Sequence, residues 1–273
     1  MDQIRSVRLA EPPREFVALG EPSLAERYRE VRALSLALAA PLSDADATLQ
    51  SMEDASPAKW HLAHTTWFFE TFILRERGVP RFNDDWPFLF NSYYEAEGER
   101  IARFARGMLS RPSLAQVLDY RAHVDAAMMD ALDDPACAEL VALGLAHEQQ
   151  HQELLMTDIK HALWSNPLGP ALWAPSPPHS SELVAAGWTE HPGGIASIGH
   201  AGPDFAFDCE GPRHQVLLQP FALADRLVTN AEWDAFIADG GYRTPSLWLS
   251  DGWTWVNANN VQAPLYWNGE DHF

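Results

Sequence analysis

Four stretches of helical periodicity, each opened by capping residues and closed by a breaker, fall within the first 165 residues. In PSLAERYREVRALSLALAAPLS, Ser23 and Glu26 have the spacing of a capping box, and Leu24, Tyr28, Val31 and later leucines recur at helical intervals. SPAKWHLAHTTWFFETFILRE offers Ser56 as a cap and Pro57 as the first helical residue, and no breaker follows until Gly78. RPSLAQVLDYRAHVDAAMMDALDDP repeats the box with Ser113 and Gln116, then sets Val117, Tyr120, Val124 and Met128 along one side. The fourth stretch runs from about Ala136 to Trp164 and is broken by SNPLGP. A striped helix must bury its apolar side against a neighbour, so four in succession predict a four-helix bundle over 21–165, preceded by a tail over 1–20.

The pattern then changes. Residues 166–186 are rich in proline and serine and read as a linker, whereas 187–273 carry glycines, tryptophans and short alternating runs such as HQVLLQPFAL. These predict small strands and turns with one short helix around TNAEWDAFIADGG, which makes the fold class α+β. Within the bundle, the connection from about Gly78 to Pro112 is longer than topology requires, and long ordered loops are often functional. With 19 Lys and Arg against 38 Asp and Glu, the net charge of −19 opposes nucleic acid or an anionic membrane as a partner. The N-terminus lacks the order of a signal peptide, and the longest apolar stretch, around LSLALAAPL, is too short to span a bilayer; a soluble cytoplasmic protein is predicted. Cys137 and Cys209 fit a reducing compartment as ordinary thiols. GGIASIGHAG lacks the spacing of a dinucleotide loop.

The fourth helix contains HEQQH, a form of H-E-x-x-H. His147 and His151 stand four residues apart, so their imidazoles project from one face and can share an ion. At about 100° per residue that face also takes Leu140, Leu143, Leu154 and Asp158, which predicts that it turns into the bundle. On the second helix, projection places His64 among Trp60, Trp67, Phe68 and Thr71, with His61 at the rim of that arc; His64 is the better third ligand, and His61 stays open. His161 lies on the fourth helix too far along the axis, roughly 15 Å at a rise of about 1.5 Å per residue. His123, His179, His191, His200, His214 and His272 are expected to be structural or exposed. A zinc protease of the metzincin type would continue with Gly and His where this chain has Leu154 and Thr157. Histidines from two helices instead suit a bundle-core metal site with open positions.

At this point the residues match a known family. MEDASPAKWHLAHTTWFFETF, LFNSYYEAEGER, RGMLSRPS and HEQQHQELL together resemble the iron-dependent sulfoxide synthases of ergothioneine biosynthesis. The first part resembles their DinB-like bundle. The region from about Gly187, with GHAGPDFAFDCEGPRH, LVTNAEWDAFIADGGY and LWLSDGWTWV, resembles the start of their formylglycine-generating-enzyme-like domain, C-type-lectin-like in fold. The resemblance implies that His64, His147 and His151 bind Fe(2+), and that the sulfur of cysteine or γ-glutamylcysteine is joined to C2 of hercynine with O2 and oxidised to the sulfoxide. It further implies that Tyr93 and Tyr94 act as proton or hydrogen donors and that Gln150 contacts the hercynine ring. Guanidinium chemistry, not the resemblance, suggests that Arg103 and Arg106 pair with substrate carboxylates in bidentate fashion, with a solvated surface role as the alternative.

The chain departs from that pattern in places. Glu53 stands where family members carry Pro, and Ile101-Ala102 where they carry His-Pro. The second domain stops at PLYWNGEDHF, short of family length, so it is expected to be incomplete and the chain to keep iron binding with weak or absent synthase activity. Readings of other classes are a DinB-like thiol transferase or hydrolase holding zinc or nickel, a catalytically degenerate binding module, and the related ovothiol-pathway synthase that acts on histidine.

Overall fold

The computed structural model describes residues 22–174, 187–203, 205–268 and 271–272. The expected tail over 1–20, most of the 166–186 linker, His179 and the side chain of His272 lie outside the described residues. Four long helices build the first part: α1 (Leu24–Ala39), α3 (Ala58–Phe69), α5 (Leu114–Leu132) and α6 (Ala138–Ser165), with the short α2 (Asp44–Thr48) and α4 (Trp86–Phe90) in the connections. Helix α1 packs on α6, and α3 packs on both α5 and α6.

Local chemistry accounts for most of these boundaries. Ser23 with Glu26 and Ser113 with Gln116 form capping boxes at the starts of α1 and α5. Ser56 does not cap α3: Pro57 occupies the cap position with no side-chain bond, and the Ser56 hydroxyl instead accepts from Arg106. Beyond Phe69 the rod continues through a π turn at Glu70–Leu74 and a tight turn at Arg75–Arg77, and ends at Gly78 in the left-handed region (φ 74°).

The interior is assembled around α3, every residue of which is buried. Its aromatic residues and its polar ones, Lys59, His61, His64, Thr65 and Thr66, are enclosed alike, so α3 keeps no solvent face and forms the centre of the bundle. Val117, Tyr120, Val124 and Met128 of α5 are fully buried against it. In α1 Tyr28, Arg32, Ser35 and Ala39 are buried and Leu24, Val31 and Leu38 pack partly buried against the core, as the stripe predicts, while Leu34 and Leu36 face outward. In α6 the buried stripe is Val141, Leu145, Glu148, Gln152, Leu155 and Ile159. His147 and His151 are half-buried beside it, and Leu140 and Leu154 are 39% and 41% exposed, so the histidine face borders a pocket rather than filling the core. At Gly144 the helices approach closely: a Cβ there would stand 2.5 Å from Cε1 of Phe69 and 2.9 Å from Cε1 of Phe68.

The long connection over 78–112 holds α4 and several single turns. Beyond the bundle come β1 (Trp188–His191), β2 (Gly194–Ile198), β3 (His214–Leu218), β4 (Phe221–Ala224), α7 (Asn230–Ala238), α8 (Ser250–Ala258), β5 (Trp267–Asn268) and β6 (Asp271–His272). The strands pair antiparallel as β1 with β4, β2 with β3 and β5 with β6, and α7 is capped by Thr229. The whole is α+β. Among the described residues of this region Val256 is the one buried hydrophobic side chain, and Ile195 and Leu217 stand 73% and 71% exposed. Near the end of the chain the Tyr266 ring meets Trp164 of α6 edge-on at 5.4 Å and lies under Lys160. No described helix is long and apolar enough to cross a membrane.

Candidate metal centre

The three imidazoles of His64, His147 and His151 converge where α3 crosses α6, each offering a ligand atom, and these atoms all lie within 4.8 Å of one another. Nε2 of His64 is 3.2 Å from Nε2 of His147, and the His151 ring centroid is 4.7 Å from that of His64 and 4.6 Å from that of His147. Each helix contributes through its own periodicity, and the long connection contributes through α4. The carbonyl of Phe90 accepts a 2.5 Å hydrogen bond from Nδ1 of His64. That bond places the ring proton on Nδ1 and leaves the Nε2 lone pair facing inward. The same ring is held between Trp60 (4.6 Å, 11°) and Trp67 (5.7 Å, 15°).

Electrostatics keep the cluster uncharged. Burial lowers His64 well below the ordinary histidine value, helped by neighbouring His147, and lowers His147 to about 4. His151 is depressed further by burial and by His64, His61 and His147. Neutral imidazoles have free lone pairs at physiological pH, which is the state a metal requires. Two facing Nε2 atoms, one of them a bare acceptor, form a poor arrangement by themselves and a good one around a divalent cation. Three imidazoles suit iron, zinc, copper and nickel alike.

The glutamate of HEQQH faces away from this point. Oε1 of Glu148 accepts from Ser35 (2.6 Å) and Arg121 (2.8 Å), and Oε2 accepts from Arg32 (2.9 Å), all in the interior. Burial pushes its carboxyl up, but the two guanidiniums hold it down at about 2. Glu148 is thus an ion-pair anchor rather than a base beside a metal-bound water. Its two arginines carried no sign in the helical pattern beyond their presence on apolar faces.

A pocket of about 380 Å³ opens over the histidines, lined by Tyr93, Tyr94, Arg103, Arg106 and Gln150 among others. Arg106 lies flat on the Trp60 ring, 3.4 Å from its centroid, and donates to Ser56 Oγ and Ser92 Oγ. Its Nε has no partner, and burial with nearby Arg103 lowers its pKa to about 10. Arg103 donates to the Tyr93 hydroxyl (2.5 Å) and to the Asp54 carbonyl. Tyr93 is 71% exposed at the mouth; Tyr94 is half-buried against Trp67, Phe68 and Phe72, and burial raises its phenol. Gln150 is exposed at the rim.

The other histidines are placed elsewhere. His61 is buried beside the cluster, bonded to Asp158 and His151. His161 bonds Ser51, His123 packs on Phe82, His191 stacks on Phe221, and His200 and His214 bond carbonyls two residues away. Cys137 is half-buried, Cys209 exposed, and both are free thiols.

Comparison with known proteins agrees with this architecture. Residues 27–155 match the DinB superfamily, and residues 183–269 match the sulfatase-modifying factor enzyme 1-like domain. The chain is 33% identical over 233 residues to the hercynine oxygenase of Mycolicibacterium thermoresistibile, covering 82% of this chain and 50% of the relative. It is 32% identical over 258 residues to that of Mycolicibacterium smegmatis (92% and 58%) and 30% identical over 248 residues to that of Mycobacterium tuberculosis (89% and 57%). The chain therefore spans between half and three-fifths of the length of these relatives. In chain order, then, the sequence is similar first to the DinB superfamily and then to the sulfatase-modifying factor enzyme 1-like domain.

Proposed function

We propose that this chain carries the metal centre of an oxygen-using sulfoxide synthase, an oxidoreductase that joins cysteine or γ-glutamylcysteine to C2 of hercynine. The observation that carries the reading is the convergence of three neutral imidazoles at the floor of a pocket walled by two arginines and two tyrosines. Likeness to hercynine oxygenases over most of the chain supports it.

His64, His147 and His151 would hold Fe(2+), which supplies redox chemistry with dioxygen and a Lewis-acid position for the thiolate. In the overall reaction the C–H and S–H bonds give up two electrons as C–S forms, and sulfur gives two more. One oxygen atom ends on sulfur and the other in water, so no outside reductant is needed. Arg106 and Arg103 present cationic forks to the pocket and would fix substrate carboxylates bidentately. The unpartnered Nε of Arg106 is a donor already desolvated for that purpose. Gln150, beside the His151 ligand, would read the hercynine ring through its side-chain amide. The Tyr94 phenol, kept protonated by burial, and the Tyr93 hydroxyl would give a proton or hydrogen atom to the reacting oxygen.

The test is anaerobic loading with Fe(2+), addition of hercynine and either thiol, then air, with products read by mass spectrometry and oxygen uptake by electrode. Stoichiometric sulfoxide supports the reading. Thiol consumption with zinc or nickel and without oxygen would instead favour the transferase chemistry, and a product from histidine alone would move the acceptor.

A further inference from the structure

Two of the three imidazoles at the centre are held by a hydrogen bond on the nitrogen away from their partners, and they are held differently. For His64 the acceptor is the backbone carbonyl of Phe90. For His151 it is another histidine: Nδ1 of His151 lies 2.9 Å from Nδ1 of His61. The far nitrogen of His61, Nε2, lies 3.0 Å from Oδ2 of Asp158, which also accepts the Ser56 backbone N–H at 2.8 Å. His61 is 3% exposed, and the Asp158 side chain is 12% exposed.

The direction of this chain of bonds follows from its end. A carboxylate only accepts, so the Nε2 of His61 carries a proton. A neutral His61 then has a bare Nδ1, and the single proton between the two facing Nδ1 atoms belongs to His151. His151 is left with its lone pair on Nε2. The opposite order, with His61 doubly protonated, would put the His151 proton on Nε2 and close that atom to a cation.

We propose that Asp158 and His61 are positioning residues that fix the tautomer and ring angle of His151 through a carboxylate–imidazole–imidazole relay, so that His151 binds its metal through Nε2. The inference rests on the three-histidine metal centre but not on iron or on sulfoxide formation. Residues that orient a ligand in this way typically change metal affinity about 10–100-fold when removed. A relay also gives a use to the two histidines that α3 carries three residues apart: His64 joins the three-imidazole cluster, and His61 bonds its member His151.

Cobalt(II) serves as the probe, titrated into the full chain while its visible absorption is followed. The wild-type protein binds one ion. His61→Phe, which keeps a ring but neither hydrogen bond, and Asp158→Ala weaken binding about 10–100-fold and shift the visible band. His61→Gln restores wild-type affinity and band, because its amide oxygen accepts from His151 while its amide nitrogen donates to Asp158. Circular dichroism checks that each variant is folded. Nitrogen NMR of labelled histidines in the wild-type apoprotein gives the tautomers directly, independently of any variant: the His151 proton on Nδ1 and the His61 proton on Nε2.

Wild-type affinity and band in a folded His61→Phe or Asp158→Ala variant would overturn the relay while leaving the metal centre standing. So would a His151 proton on Nε2, or a folded His61→Gln variant as defective as His61→Phe, since hydrogen bonding at that position would then not be what sustains the affinity. A wild-type protein that binds no cobalt at the three histidines would instead remove the centre itself.

Discussion

The carboxylate of Glu148 meets the guanidinium of Arg32 at 2.9 Å inside the bundle, joining α6 to α1 at side chains 1% and 3% exposed. Arg121 of α5 reaches the other oxygen at 2.8 Å, so one carboxylate ties three helices together. Removing one partner of such a pair leaves desolvated charge without compensation, which costs about 3–5 kcal/mol. Glu148→Gln is therefore expected to lower the free energy of unfolding by that amount in urea titration, yet to bind one metal ion under conditions where it stays folded. Loss of the ion from a folded Glu148→Gln protein would show that the carboxylate belongs to the metal site.

Replacing His64, His147 or His151 singly by alanine is expected to weaken metal binding by more than the ~10–100-fold typical of an outer contact. His161→Ala, whose ring bonds Ser51 away from the cluster, should leave metal affinity unchanged. Equilibrium dialysis against a competing chelator measures both.

Arg106→Lys keeps the charge but gives up the fork that reaches Ser56 and Ser92 and lies on Trp60. A charged hydrogen bond is worth roughly 1.5–3 kcal/mol, so the KM for a carboxylate-bearing thiol is expected to rise about 10–100-fold at the same metal content. Steady-state oxygen uptake with varied thiol checks it; an unchanged KM would place the carboxylate elsewhere.

Tyr94→Phe removes a hydroxyl and little packing, since its ring contacts with Trp67 and Phe72 remain available. Sulfoxide formation is expected to fall about 100-fold, the lower range for loss of a positioned proton donor, with metal affinity unchanged. Tyr93→Phe removes the acceptor of the Arg103 bond as well, so its effect should appear in both KM and rate. Single-turnover product analysis separates the two variants.

Much of the architecture was legible in the sequence because its cues are local. Capping boxes at Ser23 and Ser113, the break after Trp164 and the stripe from Val117 to Met128 depend on near neighbours only. The face of α6 was harder. Its helical phase places His147, His151 and Asp158 together, but apolar Leu140 and Leu154 on the same side made that face look interior, when it borders a pocket roofed by the 78–112 connection. The polar interior has no local cue: what Arg32 and Arg121 pair with is decided by Glu148, which reaches them across the bundle. His61 could be placed near the site by periodicity, but its bond to His151 depends on two helices meeting, which no single-helix projection contains.

The meeting of α3 and α6 is itself governed by an absence. Gly144 lies one turn ahead of His147, and the rings of Phe68 and Phe69 occupy the space that any larger residue would claim. A methyl group there would press on those two phenyl rings and act as a shim between the rods, displacing His147 from His64 without touching either imidazole. The grip of the three imidazoles is thus gauged from outside the site, by how near one backbone is permitted to lie to two phenyl rings.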